Sequence, residues 1–184
     1  MYVLIALACI VVISITEWAL HRFVMHRPIG KFDYPFRKHA LTHHSIFKAD
    51  TTYHCSRVED KRTIPMAWWN GPVLIFLATL PSVGLSFWLH MPSIAIIFLV
   101  TCSLYYAAYE RLHWCMHLPK KRRLEQSWIF FRLNGHHLLH HRYMNRNFNV
   151  VLPLADLLFG TLLLRSKVWF AQVKGPMVPD VTTQ

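Results

Sequence analysis

The longest apolar stretch at the start of the chain predicts a membrane-spanning helix. Residues 1–20 are apolar apart from Ser14, Thr16 and Glu17, and a helix needs ~20 such residues to cross ~30 Å of hydrocarbon. A secretory signal peptide is the alternative interpretation. No Lys or Arg precedes the apolar run, however, and no A-x-A-like site closes it. We therefore expect a first span here.

A second uncharged stretch predicts two more spans joined by a tight turn. Residues 63–109 contain 47 consecutive positions without Asp, Glu, Lys or Arg, which is too many for one span. Met91 and Pro92 mark the turn, because proline does not continue a helix. The pattern predicts spans at 68–89 and 93–109.

A shorter apolar segment near the C-terminal end predicts a helix at the membrane surface. Residues 150–164 are apolar but include Pro153, Asp156 and Gly160, and basic residues flank both ends. Such flanks favour a re-entrant or interfacial helix, with a short fourth span as the alternative.

The composition agrees with a membrane protein of one domain. Hydrophobic residues make up 54% of the chain and charged residues 16%, whereas roughly a quarter of the residues of soluble domains are charged. A chain of 184 residues is long enough for one sizeable core. We expect a single domain at 1–174 and a disordered tail at 175–184. The four cysteines have no paired spacing and are expected to be reduced.

The positive charge predicts how the spans are oriented. A formal charge of +11 could indicate a nucleic-acid-binding protein, but the long uncharged runs exclude a soluble basic domain. Nine Lys and Arg lie in residues 22–62 and eleven in 111–174, with none elsewhere. All twenty therefore fall on one side of the three predicted spans. The positive-inside rule places these basic segments in the cytoplasm.

The histidines are concentrated in the basic segments, where eleven of the thirteen form four clusters. Residues three or four apart lie on one helix face, with Cβ atoms roughly 5–6 Å apart. Both rings of such a pair can reach one ion. His21 and His26 are five apart, so they converge only if the helix unwinds before Pro28. The pairs with favourable spacing are His113 with His117, His39 with His43, and His137 with His140 and His141.

The number of clustered imidazoles favours a site for two metal ions. Even ten of these eleven clustered imidazoles exceed the three or four that one zinc site takes, which indicates two ions with about five protein ligands each. Neutral imidazole suits Fe, Zn, Cu and Ni, so histidines alone do not name the metal. A metal transporter would have histidines along a path across the bilayer, and a zinc hydrolase needs fewer ligands and a general base. The one-sided placement and the ligand count speak against both.

The four cluster spacings, HX4H, HX3HH, HX3H and HX2HH, alternate with apolar spans in a way that resembles the fatty acid hydroxylase and sterol desaturase superfamily of membrane di-iron oxygenases. Their order is most similar to fatty acid 2-hydroxylase-like members. The likeness covers roughly residues 15–165 and includes the Asn…Asp…Phe-Gly-Thr ending at 147–161. It implies an all-α integral membrane bundle with three or four spans, and a cytoplasmic His-rich helical cap that holds a dimetal site.

The resemblance also implies the metal ligands and their partners. Two iron ions are expected, with zinc as a replacement in purified protein. Outer partners orient ligand imidazoles through the second ring nitrogen, and His136, Glu110, Asp156 and Asn149 are the candidates for that position. The ligands implied are His21, His26, His39, His43, His44, His113, His117, His137, His140 and His141.

The implied reaction is the O2-dependent hydroxylation, or a related C–H oxidation, of a membrane lipid, with a fatty acyl chain as the first choice. The alternatives are a sterol or carotenoid oxidase, a desaturase of the same superfamily, and a non-enzymatic membrane metal-binding protein. The sequence shows no haem, flavin or Rossmann motif. A separate electron donor of the cytochrome b5 or ferredoxin type is therefore expected, and nucleic acid is not.

A run of four basic residues at 120–123 follows the third histidine cluster. Such a run beside a span is typical of a solvated positive flank. The alternative is a platform for an acidic electron donor or for an anionic substrate head group.

Overall fold

The apolar stretches form the long helices of the protein. The computed structural model describes residues 1–164, and within that range it is helical and contains no β-strand. The predicted all-α class is confirmed. In chain order the α-helices are α1 (Tyr2–Leu20), α2 (Tyr34–Phe36), α3 (His44–Ile46), α4 (Asn70–Trp88), α5 (Ser93–His117), α6 (Trp128–Arg142) and α7 (Leu154–Leu158).

Three of these helices are long and apolar enough to cross a membrane. The first is α1 together with the π-helix that continues it without a break, so the span covers Tyr2–Met25. The other two are α4 and α5, which pack against each other, and α1 packs against α5. Their outer faces expose large apolar side chains such as Leu4, Leu77 and Val100, as expected for lipid contact.

The turn between α4 and α5 lies where the sequence predicted it. The backbone N–H of Met91 bonds to the carbonyl of Ser86 at 3.0 Å, and Pro92 precedes the first turn of α5. The far end of α5 differs from the prediction, because the helix continues past residue 109 to His117. The third histidine cluster therefore lies on a direct continuation of the membrane-spanning helix.

Close contact between α4 and α5 depends on a glycine. A Cβ atom built on Gly71 would lie 2.6 Å from Cε1 of Tyr106, which is far inside van der Waals contact. Gly84, in the same helix, has no neighbour within 4 Å of that position. Gly71 therefore sets the separation of the two helices at their cap ends.

The remaining segments, 26–69 and 118–164, form a cap on the ends of the spans. It contains a π-helix at Arg37–His43, a 3-10 helix at Glu59–Thr63, and the short helices α2, α3, α6 and α7. Ser127 caps the start of α6 by accepting a hydrogen bond from the Phe130 backbone N–H at 3.2 Å. The apolar side chains of Phe47 and Phe148 in the cap and of Met116 at the end of α5 are almost fully buried.

Segment 150–164 does not form one continuous helix and is not a fourth helical span. Only Leu154–Leu158 is helical, and the three candidate spans within residues 1–164 lie elsewhere. The physical reason is Asp156, which is fully buried and draws the chain into a compact loop. Ser14 fastens this loop to α1 through a 2.9 Å bond to the carbonyl of Leu152. The predicted tail at 175–184 lies outside the described residues.

Candidate metal centre

The ten histidines predicted as ligands come together where the spans meet the cap. They form two groups of five, and within each group the possible ligand atoms all lie within 4.8 Å of one another. Every side chain is buried except that of His26, which is partly buried. The first group is His21, His26, His39, His44 and His140, and the second group is His43, His113, His117, His137 and His141.

A π-helix divides the second cluster between the two groups. In the segment Arg37–His43 and at its end, hydrogen bonds join residues five apart, including the His44 N–H to the His39 carbonyl. Residues five apart therefore share a face, and Nε2 of His39 lies 3.1 Å from Nε2 of His44. His43 faces the second group instead. The predicted pairing of His39 with His43 is wrong, because it assumed α-helical geometry.

The same geometry brings His21 and His26 together. The π-helix His21–Met25 ends with a bond of 3.1 Å from the His26 N–H to the His21 carbonyl. The two ring centroids lie 5.1 Å apart. The sequence predicted convergence by unwinding of the helix before Pro28, whereas the π-helix His21–Met25 brings the two residues together by a wide helical turn. π-turns of this kind occur frequently at functional sites.

Ordinary α-helical spacing builds the second group. His113 and His117 lie one turn apart on α5, and His137 and His141 one turn apart on α6. Nε2 of His137 lies 3.1 Å from that of His117 and 3.0 Å from that of His141. His140 points to the first group, so its predicted pairing with His137 is wrong. Helix α6 therefore supplies both groups.

Five of the imidazoles use Nδ1 to donate a hydrogen bond to a backbone carbonyl. A carbonyl oxygen can only accept, so the proton of each neutral ring lies on Nδ1 and its lone pair on Nε2. The distances include 2.8 Å for His140 to Arg146 and 2.8 Å for His117 to Tyr53. The other pairs are His21 with Phe148, His43 with Thr63, and His141 with Phe47.

The fixed tautomers aim lone pairs into both groups, those of His21 and His140 into the first and those of His43, His117 and His141 into the second. Nε2 of His140 lies 3.1 Å from Nε2 of His26 and 3.2 Å from that of His44. Two unprotonated nitrogens cannot hydrogen-bond to each other, so a cation between the fixed rings would stabilise each group. An imidazole-only donor set fits a transition metal such as Fe, Zn, Cu or Ni.

Burial lowers the pKa values of these imidazoles, so protons do not compete with a cation for their nitrogens at neutral pH. Desolvation, opposed in part by the bond to the Arg146 carbonyl, lowers the pKa of His140 to about 4. Desolvation and the neighbouring His140 lower the pKa of His26 to about 2. The pKa values of His39 and His137 are likewise far below the ordinary value, first because of burial and then because of adjacent imidazoles. These rings are neutral at pH 7, the form that binds metal.

The carbonyl groups that orient these imidazoles could not be found from the sequence. Carboxylates and amides were the candidates for that task, because their side chains are visible in a sequence. Every residue carries a carbonyl, so nothing distinguishes Phe47, Tyr53, Thr63, Arg146 or Phe148 in advance.

Asp156 acts on the first group through the backbone. Its Oδ2 accepts hydrogen bonds from the Asn149 N–H at 2.8 Å and from Nε2 of His136 at 3.1 Å, and its Oδ1 accepts one from the Phe148 N–H at 2.9 Å. Burial alone would raise the pKa of Asp156, but these bonds hold it below the usual value. The Phe148 carbonyl accepts a hydrogen bond from Nδ1 of His21. By holding the backbone at Phe148 and Asn149, Asp156 therefore positions the imidazole of His21 indirectly.

The other predicted outer partners stabilise the surrounding helices. Oε1 of Glu110 accepts hydrogen bonds from the Met66 N–H at 3.3 Å and the Tyr106 hydroxyl at 3.1 Å. The Asn149 amide donates to Glu17 at 2.9 Å and accepts from the Asp156 N–H at 3.1 Å. The Glu110 bonds connect α5 to the cap segment at Met66, and the Asn149 bonds connect α1 to the loop around α7; none of them reaches an imidazole.

A cavity of about 630 Å³ opens beside both groups, between α1, α4, α5 and the cap. His21 and His39 of the first group line it, as do His43 and His113 of the second. Most of the remaining lining is apolar, and it comes from both the spans and the cap. Its size is within the ~300–1,000 Å³ typical of small-molecule sites.

Comparison with known proteins agrees with this architecture. A family model described as fatty acid hydroxylase matches residues 6–161. No curated protein and no solved structure matches the chain. The matched range includes all four histidine clusters, both histidine groups and the Asp156 loop. The chain therefore belongs to the fatty acid hydroxylase family.

Proposed function

We propose that this protein is a membrane di-iron oxygenase that hydroxylates a fatty acyl chain of a lipid with O2 as co-substrate. The observation that carries the proposal is the position of the two histidine groups, which border an apolar cavity that extends between the membrane spans. Membership of the family supports lipid oxidation in general. The cavity supports an extended apolar substrate, because it is open to a chain lying along α1 and α5.

Each histidine group binds one ion in this proposal. Zinc also accepts imidazole ligands but has no redox chemistry, so iron is the ion that fits an oxygenase. When bound, the metal pair supplies the activation of O2 that an unactivated C–H bond requires. The chain's own contribution is to hold ten neutral imidazoles close together, five of them in tautomers fixed by backbone carbonyls, beside a mostly apolar cavity.

Hydroxylation requires a reductant. One oxygen atom of O2 enters the C–H bond and the other becomes water, which consumes two electrons and two protons. A separate protein of the cytochrome b5 or ferredoxin type supplies the electrons. The positively charged cap suits an acidic carrier, because complementary charge speeds encounter.

The cap faces the cytoplasm in this proposal. All twenty Lys and Arg lie in 22–62 and 111–174, and such an excess is retained on the cytoplasmic side. A reporter enzyme that is active only outside the cytoplasm tests this orientation. Fused after Met91, between α4 and α5, it is expected to be active, and fused after Arg142 it is expected to be inactive. The reverse pattern contradicts the orientation.

Isotope-labelled lipid analysis tests the activity. Cells expressing the wild type are grown under 18O2 and compared with cells expressing His140→Ala, with His90→Asn as the control. His90 is exposed between α4 and α5 and has φ +52, a backbone conformation that Asn tolerates. We expect a lipid heavier by one 18O atom in the wild type and the control, and its loss in His140→Ala. Identical lipid profiles in all three contradict the proposal.

A further inference from the structure

The cavity is electrically asymmetric. Apart from histidines, the charged residues among those that line it are Glu17, Lys38 and Arg62. Glu17 is occupied by hydrogen bonds from the Tyr105 hydroxyl at 2.7 Å, the Asn149 amide at 2.9 Å and the Val150 N–H at 2.7 Å. Lys38 and Arg62 form no salt bridge within residues 1–164. The charge left available to a ligand is positive.

Both cations lie at the end of the cavity nearest the histidine groups. Lys38 directly precedes His39 in the π-helix Arg37–His43, and Arg62 directly precedes Thr63, whose carbonyl accepts the proton of His43. The π-helix packs against the 3-10 helix that contains Arg62. Both side chains are exposed, so they form a rim between the metal centre and the solvent.

The opposite end of the cavity is apolar and lies within the spans. Ile13 on α1 and Cys102 on α5 line it there. At 1.5 Å per residue they are ~12 Å from His21 and ~16 Å from His113 along their helices. A ligand that fits this cavity has a negatively charged end at the cap and an apolar chain along α1 and α5.

We propose that Lys38 and Arg62 bind the anionic head group of a single-chain amphiphile, a carboxylate or a phosphate, whose chain extends between the spans. A guanidinium binds either oxyanion through two parallel hydrogen bonds, and an ammonium adds a point charge. The carbons next to the head group then lie beside the histidine groups. The identity of the cavity as a substrate site rests on the proposed function, but binding at the rim does not depend on turnover.

Other basic residues of the cap provide a matched control. None of residues 120–123 lines the cavity, and Arg122 is held by Glu125 and by the Leu118 carbonyl. The alternative that this run binds an anionic substrate head group is therefore not favoured. Lys120 and Lys121 are exposed, so neutralising both changes the net charge of the cap by the same amount as neutralising Lys38 and Arg62.

Direct binding to the purified full chain in discs of uncharged lipid tests the site. The probes are a long-chain fatty acid, the alkyl phosphate of equal length and the matched fatty alcohol, all radiolabelled. We expect at least one anion to bind about ten-fold or more tightly than the alcohol, and the stronger anion identifies the head group. Lys38→Gln/Arg62→Gln is expected to abolish the preference without changing alcohol affinity, whereas Lys120→Gln/Lys121→Gln is expected to retain it.

A salt titration of the wild type tests the same claim without a variant. Added salt is expected to weaken binding of the anion and leave that of the alcohol unchanged, because the rim is exposed. Equal affinity for all three probes, a preference that survives in Lys38→Gln/Arg62→Gln, or no measurable binding overturns the head-group site. Oxidised lipid formed without a head-group preference counts against this site alone. Anion preference without any oxidised lipid counts against the oxygenase proposal alone.

Discussion

Nδ1 of His140 donates a hydrogen bond to the backbone carbonyl of Arg146 at 2.8 Å, and this bond turns the lone pair of Nε2 into the first histidine group. Four further imidazoles are held by carbonyls in the same way. Backbone carbonyls outside the long helices therefore set the tautomers of five of the ten imidazoles. Substitutions that move this backbone should affect metal binding as well as stability.

Removing one ligand should release one ion and keep the other. His140→Ala opens the first group and leaves all five members of the second, so the iron content is expected to fall from about two ions per chain to about one. His141→Ala is expected to give the same count by emptying the second group. Elemental analysis of purified protein measures this, with His90→Asn as control. Unchanged content in both ligand variants contradicts the division into two groups.

Asp156→Asn should loosen the first group through the backbone. The amide retains one acceptor oxygen but places an NH2 group against backbone N–H donors. We expect this to lower the free energy of unfolding by roughly 2–3 kcal/mol and the melting temperature by roughly 5–10 °C. Metal affinity of the first group is expected to fall roughly 10–100-fold, as for other outer partners.

Chelator competition separates this effect from general destabilisation, because the second group should keep its affinity. Asp33→Asn is the control, since Asp33 pairs with an exposed Arg37 and should change stability by less than about 1 kcal/mol. Equal loss of affinity in both groups would show that Asp156 has only a structural role.

Gly71→Ala should disturb the cavity wall. The added methyl group meets the Tyr106 ring at 2.6 Å, and overpacking of this kind costs roughly 1–3 kcal/mol. Tyr106 lines the cavity, so lipid affinity is expected to fall as well. Gly84→Ala on the same helix meets nothing and is expected to be neutral or stabilising. Thermal unfolding and lipid binding of both variants test this, and equal behaviour of the two contradicts it.

Acidification should destabilise the metal-free protein. Histidines of the unfolded chain have pKa values near ~6.5, whereas the pKa of folded His140 is about 4 and that of His26 about 2. The unfolded state takes up protons first as pH falls. Stability that is fully present above the unfolded value is therefore lost as the pH falls from ~6.5 to about 4 for His140 and to about 2 for His26, with a slope of up to ~1.4 kcal/mol per pH unit for each histidine. Denaturant unfolding after chelation measures the slope, and a flat profile is the contrary result.

The spans and the histidine inventory were predictable because both depend on side chains visible in the sequence. Forty-seven uncharged residues specify two spans, whatever the rest of the chain does. The division into groups was not predictable, since it depends on π-helical turns that place His39 with His44 and His21 with His26. The loop around Asp156 was misread for a related reason, because one buried carboxylate outweighs an apolar pattern by binding several backbone N–H groups.

The central claim is that the ten histidines hold two iron ions in two separate groups. Anomalous X-ray scattering at the iron edge from crystals of the iron-loaded protein tests it most directly. We predict two peaks, each within about 2.1 Å of Nε2 atoms from the five histidines of one group. A single peak, or peaks that lie away from these rings, would contradict the account.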